Sequence, residues 1–230
     1  MPLTARIALA LLRPTIRATH WGPLSATTAV GLAIVAVPAA FSDRLEPGTL
    51  VTLLRLAAAC GALGAAFLLD DPAAPTTMTT ATPRLLRHLV RAAVVLPVLA
   101  TAASIAFAIA SAVHGPGAPL PLEDLSIEAA TLYAAALALA AARLRTTGDG
   151  VAGPFAAAVL LLAIAVTILL PARITLFPPP HDTRWNQAHD QWTAILGVAA
   201  LGYLWASLER IPQFLRRPRR DHVGRSTRDV

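Results

Sequence analysis

The chain has 230 residues, of which 56% are hydrophobic and only 14% charged, with a net charge of +6. Soluble domains carry about 25% charged residues, so the composition argues against an ordinary water-facing globule and for a surface that meets lipid. All 19 basic residues are Arg, and they flank apolar runs, so anionic lipid headgroups are the expected partners and nucleic acid is not.

In chain order, residues 1–20 come first. Arg6, Arg13, Arg17 and His20 fall on one side of a helical wheel, with Leu3, Ile7 and Leu11 roughly opposite. That pattern predicts an interfacial amphipathic helix; a disordered basic leader is the competing reading. The apolar stretch from Ile7 to Leu12 is short, Arg13 interrupts it and no small-residue cleavage site follows, which is not the pattern of a signal peptide.

Six apolar runs follow: Trp21 to Phe41, Leu50 to Leu69, Leu89 to Val113, Ile127 to Ala142, Val151 to Leu170 and Trp192 to Leu208. A hydrocarbon core about 30 Å thick needs about 20 apolar residues per helix, and the runs are continuous rather than alternating, which favours helices over a barrel. The expected fold is therefore all-α: a polytopic, six-helix transmembrane bundle over residues 21–208, with N-terminal and external interfacial helices and a basic tail over 209–230.

The arginines give the orientation. Arg6, Arg13 and Arg17 precede the first run; Arg84, Arg87 and Arg91 lie between the second and third; Arg143 and Arg145 lie between the fourth and fifth; seven more follow the sixth. The alternate gaps hold only Arg44, Arg173 and Arg184. The positive-inside rule then places both termini in the cytoplasm of a bacterial cell membrane. Arg55 falls within the second run. It is expected to snorkel outward, with Asp43 or Glu46 as partner; a buried functional charge is the alternative.

Small residues recur every four positions at Ala57, Gly61 and Ala65, at Ala102, Ala106 and Ala110, and at Ala134, Ala138 and Ala142. Such stripes let helix backbones approach closely. The single cysteine, Cys60, lies within a run and is read as a small hydrophobe.

Two connecting segments are unusual. After the second run stand Asp70 and Asp71, then a Thr- and Pro-rich stretch, then Thr82-Pro83-Arg84 as a helix start. Acidic residues at a helix C-terminus oppose its dipole. Either they grip a cytoplasmic partner together with Thr82, Arg84 and Arg87, or they pair with nearby arginines. Before the sixth run, three prolines precede His181-Asp182 and His189-Asp190, with Trp185 and Trp192 seven residues apart. The spacing does not match a helical His-x3-His metal site. An external interfacial helix with Trp185 and Trp192 as aromatic anchors is the expectation.

Catalytic patterns are missing. There is no Gly-x4-Gly-Lys-[Ser/Thr], His-Glu-x2-His, Gly-x-Ser-x-Gly or Cys-x2-Cys, and no paired acids or histidines within the runs suggest a proton relay. The chain is expected not to be an enzyme, with no cofactor and no metal of its own. If it were one, His181, Asp182, His189 and Asp190 would be its candidate residues.

Six spans, an amphipathic N-terminal helix, a polar loop after the second span and an external segment before the sixth together resemble the ABC export permease family. Leu68-Leu69-Asp70-Asp71-Pro72-Ala73, followed by Ala81-Thr82-Pro83-Arg84-Leu85-Leu86-Arg87, looks like ABC-permease-like membrane proteins of high-GC Gram-positive bacteria. The resemblance implies a homodimer or heterodimer of permeases. It also implies a separate P-loop ATPase subunit that supplies ATP and docks at residues 70–88, an elbow helix over 3–20 and an external element over 172–191. A non-transporting membrane partner or sensor, recruiting through Arg216-Arg217-Pro218-Arg219-Arg220, is the alternative.

Overall fold

The structure, a computed structural model, describes residues 15–17, 19, 21–70, 84–115, 119–147, 150–169, 171, 176–180 and 182–208. Residues 1–14, Asp71, Thr82, His181 and the tail over 209–230 lie outside the described residues, and with them most of the expected elbow helix.

Where apolar side chains would leave no water for the backbone, a helix satisfies its own N–H and C=O groups, and the apolar runs do fold that way. Six long helices appear: α1 (Trp21–Ala40), α2 (Pro47–Ala66), α3 (Arg84–Ala112), α4 (Leu122–Thr147), α5 (Gly153–Leu169) and α6 (Trp185–Ser207). Among the described residues the sole β pairing is a bridge between Leu45 and His114. Among the described residues four helices, α1 to α4, are long and apolar enough to cross a membrane, where the sequence suggested six. At 17 residues, α5 reaches about 26 Å, short of a hydrocarbon core of about 30 Å. In α6 the first two turns carry Asn186, Gln187, His189, Asp190 and Gln191, which dilute its apolar character.

Local chemistry sets several boundaries. Pro47 occupies the first turn of α2, where a missing N–H costs nothing. Glu123 and Asp124 open α4 and Arg145 closes it, both favourable to the helix dipole. Pro97 lies inside α3 and leaves the Ala93 carbonyl without its usual donor.

The helix α4 is the hub, packing on α2, α5 and α6, while α1 packs on α2 and α3. Two glycines let α1 and α2 close. A Cβ on Gly31 would lie 3.0 Å from the Ala57 carbonyl oxygen, and one on Gly64 would lie 3.0 Å from Leu24 Cα. Gly61 makes room for the Tyr133 ring from α4. The small-residue stripe of α2 thus works as helix contact on two sides. In α3, Ala106 and Ala110 are buried against Val35, Leu50, Val51, Leu54 and Leu125.

Outward faces stay apolar: Val30, Val37, Leu96, Ile105, Leu162, Ile168, Val198 and Leu201 are all exposed. Between α3 on one side and α4 and α6 on the other runs an apolar groove of about 700 Å³, its few polar groups including Ser104, Tyr133 and Tyr203. One end of the bundle carries Pro178 and the other Asp70, hence the Pro178 end and the Asp70 end.

Candidate functional site

Arg55 stands eight residues into α2, about 12 Å from its start. It does not snorkel to Asp43 or Glu46. Its Nε and Nη2 donate to the two carboxylate oxygens of Glu128 on α4, both at 2.7 Å, and its Nη1 donates to the Pro178 carbonyl at 3.0 Å. The pair is bidentate and sequestered, with the Arg55 side chain 13% exposed and that of Glu128 2%. Geometry explains the preference: a planar fork facing a carboxylate makes two parallel charge-assisted bonds. The rings of Phe177 and Trp185 lie 5.3 Å and 5.5 Å from the guanidinium carbon and spread its charge over aromatic faces.

His189, one turn into α6, completes the cluster. Its Nδ1 lies 2.8 Å from the Trp185 carbonyl, which can only accept, so Nδ1 carries a proton. Its Nε2 lies 3.0 Å from Glu128 Oε1 without forming a hydrogen bond, and no other partner reaches it among the described residues. His189 is thus drawn to Glu128 and not to its sequence neighbour Asp190 as a metal pair. Among the described residues, no three His, Cys, Asp or Glu side chains gather in a way that could hold a metal ion.

The tryptophans expected as external anchors turn inward. Trp185 donates its indole N–H to Asp124 at 2.6 Å. Trp192 is 4% exposed, donates to the Leu176 carbonyl at 2.7 Å and packs against Phe177. A buried indole N–H needs an acceptor, and the segment Leu176–Pro180 and the first turn of α4 supply one each. Asp182 pairs locally instead: hydrogen bonds from the Arg184 side chain, reinforced by the Arg184 backbone N–H, hold its carboxyl down at about 2.

At the Asp70 end the pattern differs. Asp70 Oδ1 accepts from the backbone N–H groups of Ala152 at 2.7 Å and Gly153 at 2.8 Å, capping α5 from outside it. The dipole conflict at the end of α2 is resolved by the N-terminus of another helix. Arg91 Nη1 donates to the Leu69 carbonyl at 3.0 Å and approaches that of Asp70 at 3.4 Å. One short stretch at the end of α2 therefore binds both α3 and α5. Gly153 permits this, since a Cβ there would strike the Phe67 ring and the Asp70 carboxylate. Arg84 and Arg87 stand in the first turn of α3, leading to Arg91. Deeper in, His88 Nδ1 lies 3.0 Å from Ser207 Oγ, both buried, with the Tyr203 ring stacked beside the imidazole. Arg145 donates to the Trp205 carbonyl and, at 3.1 Å, to that of Leu208, closing α6.

Of the residues expected to dock a partner, Asp70 is thus tied into the fold, Arg84 and Arg87 stand in the first turn of α3, and Asp71 and Thr82 are not described. The Arg55–Glu128–His189 convergence was not foreseen. Part of its signal was nevertheless present: Arg55 falls within the second apolar run and Glu128 stands at the start of the fourth. Compared with protein-family models, curated proteins and solved structures, the chain matches none.

Proposed function

We propose that the chain is the membrane-spanning permease subunit of an ATP-driven exporter of the ABC type. In this reading all six helices span a bacterial cell membrane and both termini are cytoplasmic. Two such subunits face one another, and separate P-loop ATPase subunits dock at the Asp70 end. The sequence resemblance suggests the class.

The observation that carries the reading is the knot at the end of α2. Asp70 caps α5 while Arg91 holds the Leu69 carbonyl in the turn just past α2, so a displacement applied between residues 70 and 84 would enter three helices at once. Transmission of an ATPase stroke requires such a junction. The outward apolar faces and the excess of Arg beside the runs that end there agree with lipid contact and with a cytoplasmic Asp70 end.

The test is gentle affinity purification of the full chain from its native membrane, with co-purifying proteins identified by mass spectrometry. A stoichiometric P-loop ATPase is expected, and Asp71→Arg, which leaves the Asp70 cap of α5 in place, should release it. Recovery with a kinase, protease or regulator in place of an ATPase would overturn the transport reading in favour of a sensor.

A further inference from the structure

Hydroxyls on the helices of this chain follow a common habit, and Thr28 breaks it. Thr52, Thr101, Ser104, Ser126, Thr131 and Thr193 each donate to the carbonyl one turn back in their own helix. Back-bonding of this kind satisfies a hydroxyl where water is scarce. Thr28 has the Leu24 carbonyl one turn back in α1, yet its hydroxyl does not use it. The oxygen is buried and has no hydrogen-bond partner among the described residues.

Thr28 instead lines a cavity of about 30 Å³ where α1, α2, α3 and α4 meet. Arg55, Glu128 and Tyr133 are in the same lining. A water needs roughly 10–15 Å³ and two to four polar partners, so there is room for about one or two. The partners are at hand. Each Glu128 oxygen keeps a lone pair beyond the one Arg55 fills, and Arg55 keeps N–H groups beyond those given to Glu128 and Pro178.

The rival state is a dry void. Most of the lining is Ala, Leu and Gly, and a cavity made only of such residues stays empty. The orphaned hydroxyl weighs against that, because a buried donor left unmade is costly. Ala103, Phe107, Ala129 and Tyr133 also line the apolar groove, so on that side the cavity is backed by a lipid-compatible surface and not by an aqueous one.

We infer that this cavity is a hydration site. One or two bound waters accept a hydrogen bond from the Thr28 hydroxyl and donate to the Glu128 carboxylate. The helix α1 packs on α2 and α3, and the water gives it a polar link to α4 and to the Arg55–Glu128 pair. The inference does not depend on an ATPase partner.

The test uses the full chain in lipid nanodiscs with methyl-labelled threonine and alanine. Water-to-methyl cross-relaxation is read at Thr28 and at Ala106, which also lines the cavity. Both methyls should show cross-peaks to a long-lived water. In Thr28→Val, which keeps the shape and removes the hydroxyl, the Ala106 cross-peak should fall about fivefold, the worth of one hydrogen bond. An undiminished Ala106 cross-peak in that variant would overturn the proposal. Should Thr28→Val not fold, the wild type decides alone under xenon pressure. Water cross-peaks with no xenon-induced shift at Ala106 support the site; missing cross-peaks, or an Ala106 shift from xenon entering a dry void, overturn it.

Discussion

The two ends of the bundle satisfy their ionisable groups in opposite ways. At the Asp70 end, Asp70 caps α5, Arg91 holds the end of α2 and Arg145 closes α6, so side-chain charge meets the partial charge of a helix terminus. At the Pro178 end, Arg55, Glu128 and His189 meet one another across three helices. Helix termini are fixed by the fold, and a residue capping one gains a modest amount, about 0.3–2 kcal/mol. A buried ion pair is different. It adds little net stability as a pair, yet losing one member strands the other and costs about 3–5 kcal/mol. The first arrangement holds helices in place; the second makes the bundle sensitive to charge.

That contrast predicts a graded series of losses, read as unfolding free energies of the chain in bicelles titrated with denaturing detergent. The largest belongs to the Pro178 end: Glu128→Leu, which leaves Arg55 buried without its carboxylate, should cost about 3–5 kcal/mol. Next comes Gly64→Ala, which forces α1 off α2 at Leu24 and Thr27 and should cost about 1–3 kcal/mol. Asp70→Ala removes a cap from α5 and should cost about 0.5–2 kcal/mol. Arg145→Gln loses the carbonyl contacts of α6 and the stacking on Trp205, and should cost about 0.5–1 kcal/mol. If Asp70→Ala proved as damaging as Glu128→Leu, the distinction between the two ends would fail.

The sequence made the helices legible because lipid-compatible helices need long continuous apolar runs, and each of the six runs lies mainly within one helix. Among the described residues four of the six helices are long and apolar enough to span by themselves; α6 starts with two polar turns, where Trp185 and His189 face α4. The site was harder to see. Arg55 and Glu128 are 73 residues apart, and periodicity says nothing about which faces meet. Local rules gave Arg55 the nearest acids, Asp43 and Glu46, whereas the fold gave it the acid at matching depth on the hub helix. Trp185 and Trp192 were expected to anchor at the interface, but hydropathy alone cannot tell a lipid-facing indole from one whose N–H finds an acceptor inside the fold. Asp70 stood out in the sequence as a charge against its helix dipole, and the structure supplies the other half, the N-terminus of α5.

The most direct measurement is a double-mutant cycle of Arg55→Met, Glu128→Leu and the two together, by unfolding in bicelles. Each single change should be severely destabilising and the double change much less so than their sum, with a coupling of about 2–3 kcal/mol. Costs that simply add would mean that Arg55 and Glu128 do not share a buried site, and would contradict the contrast between the two ends.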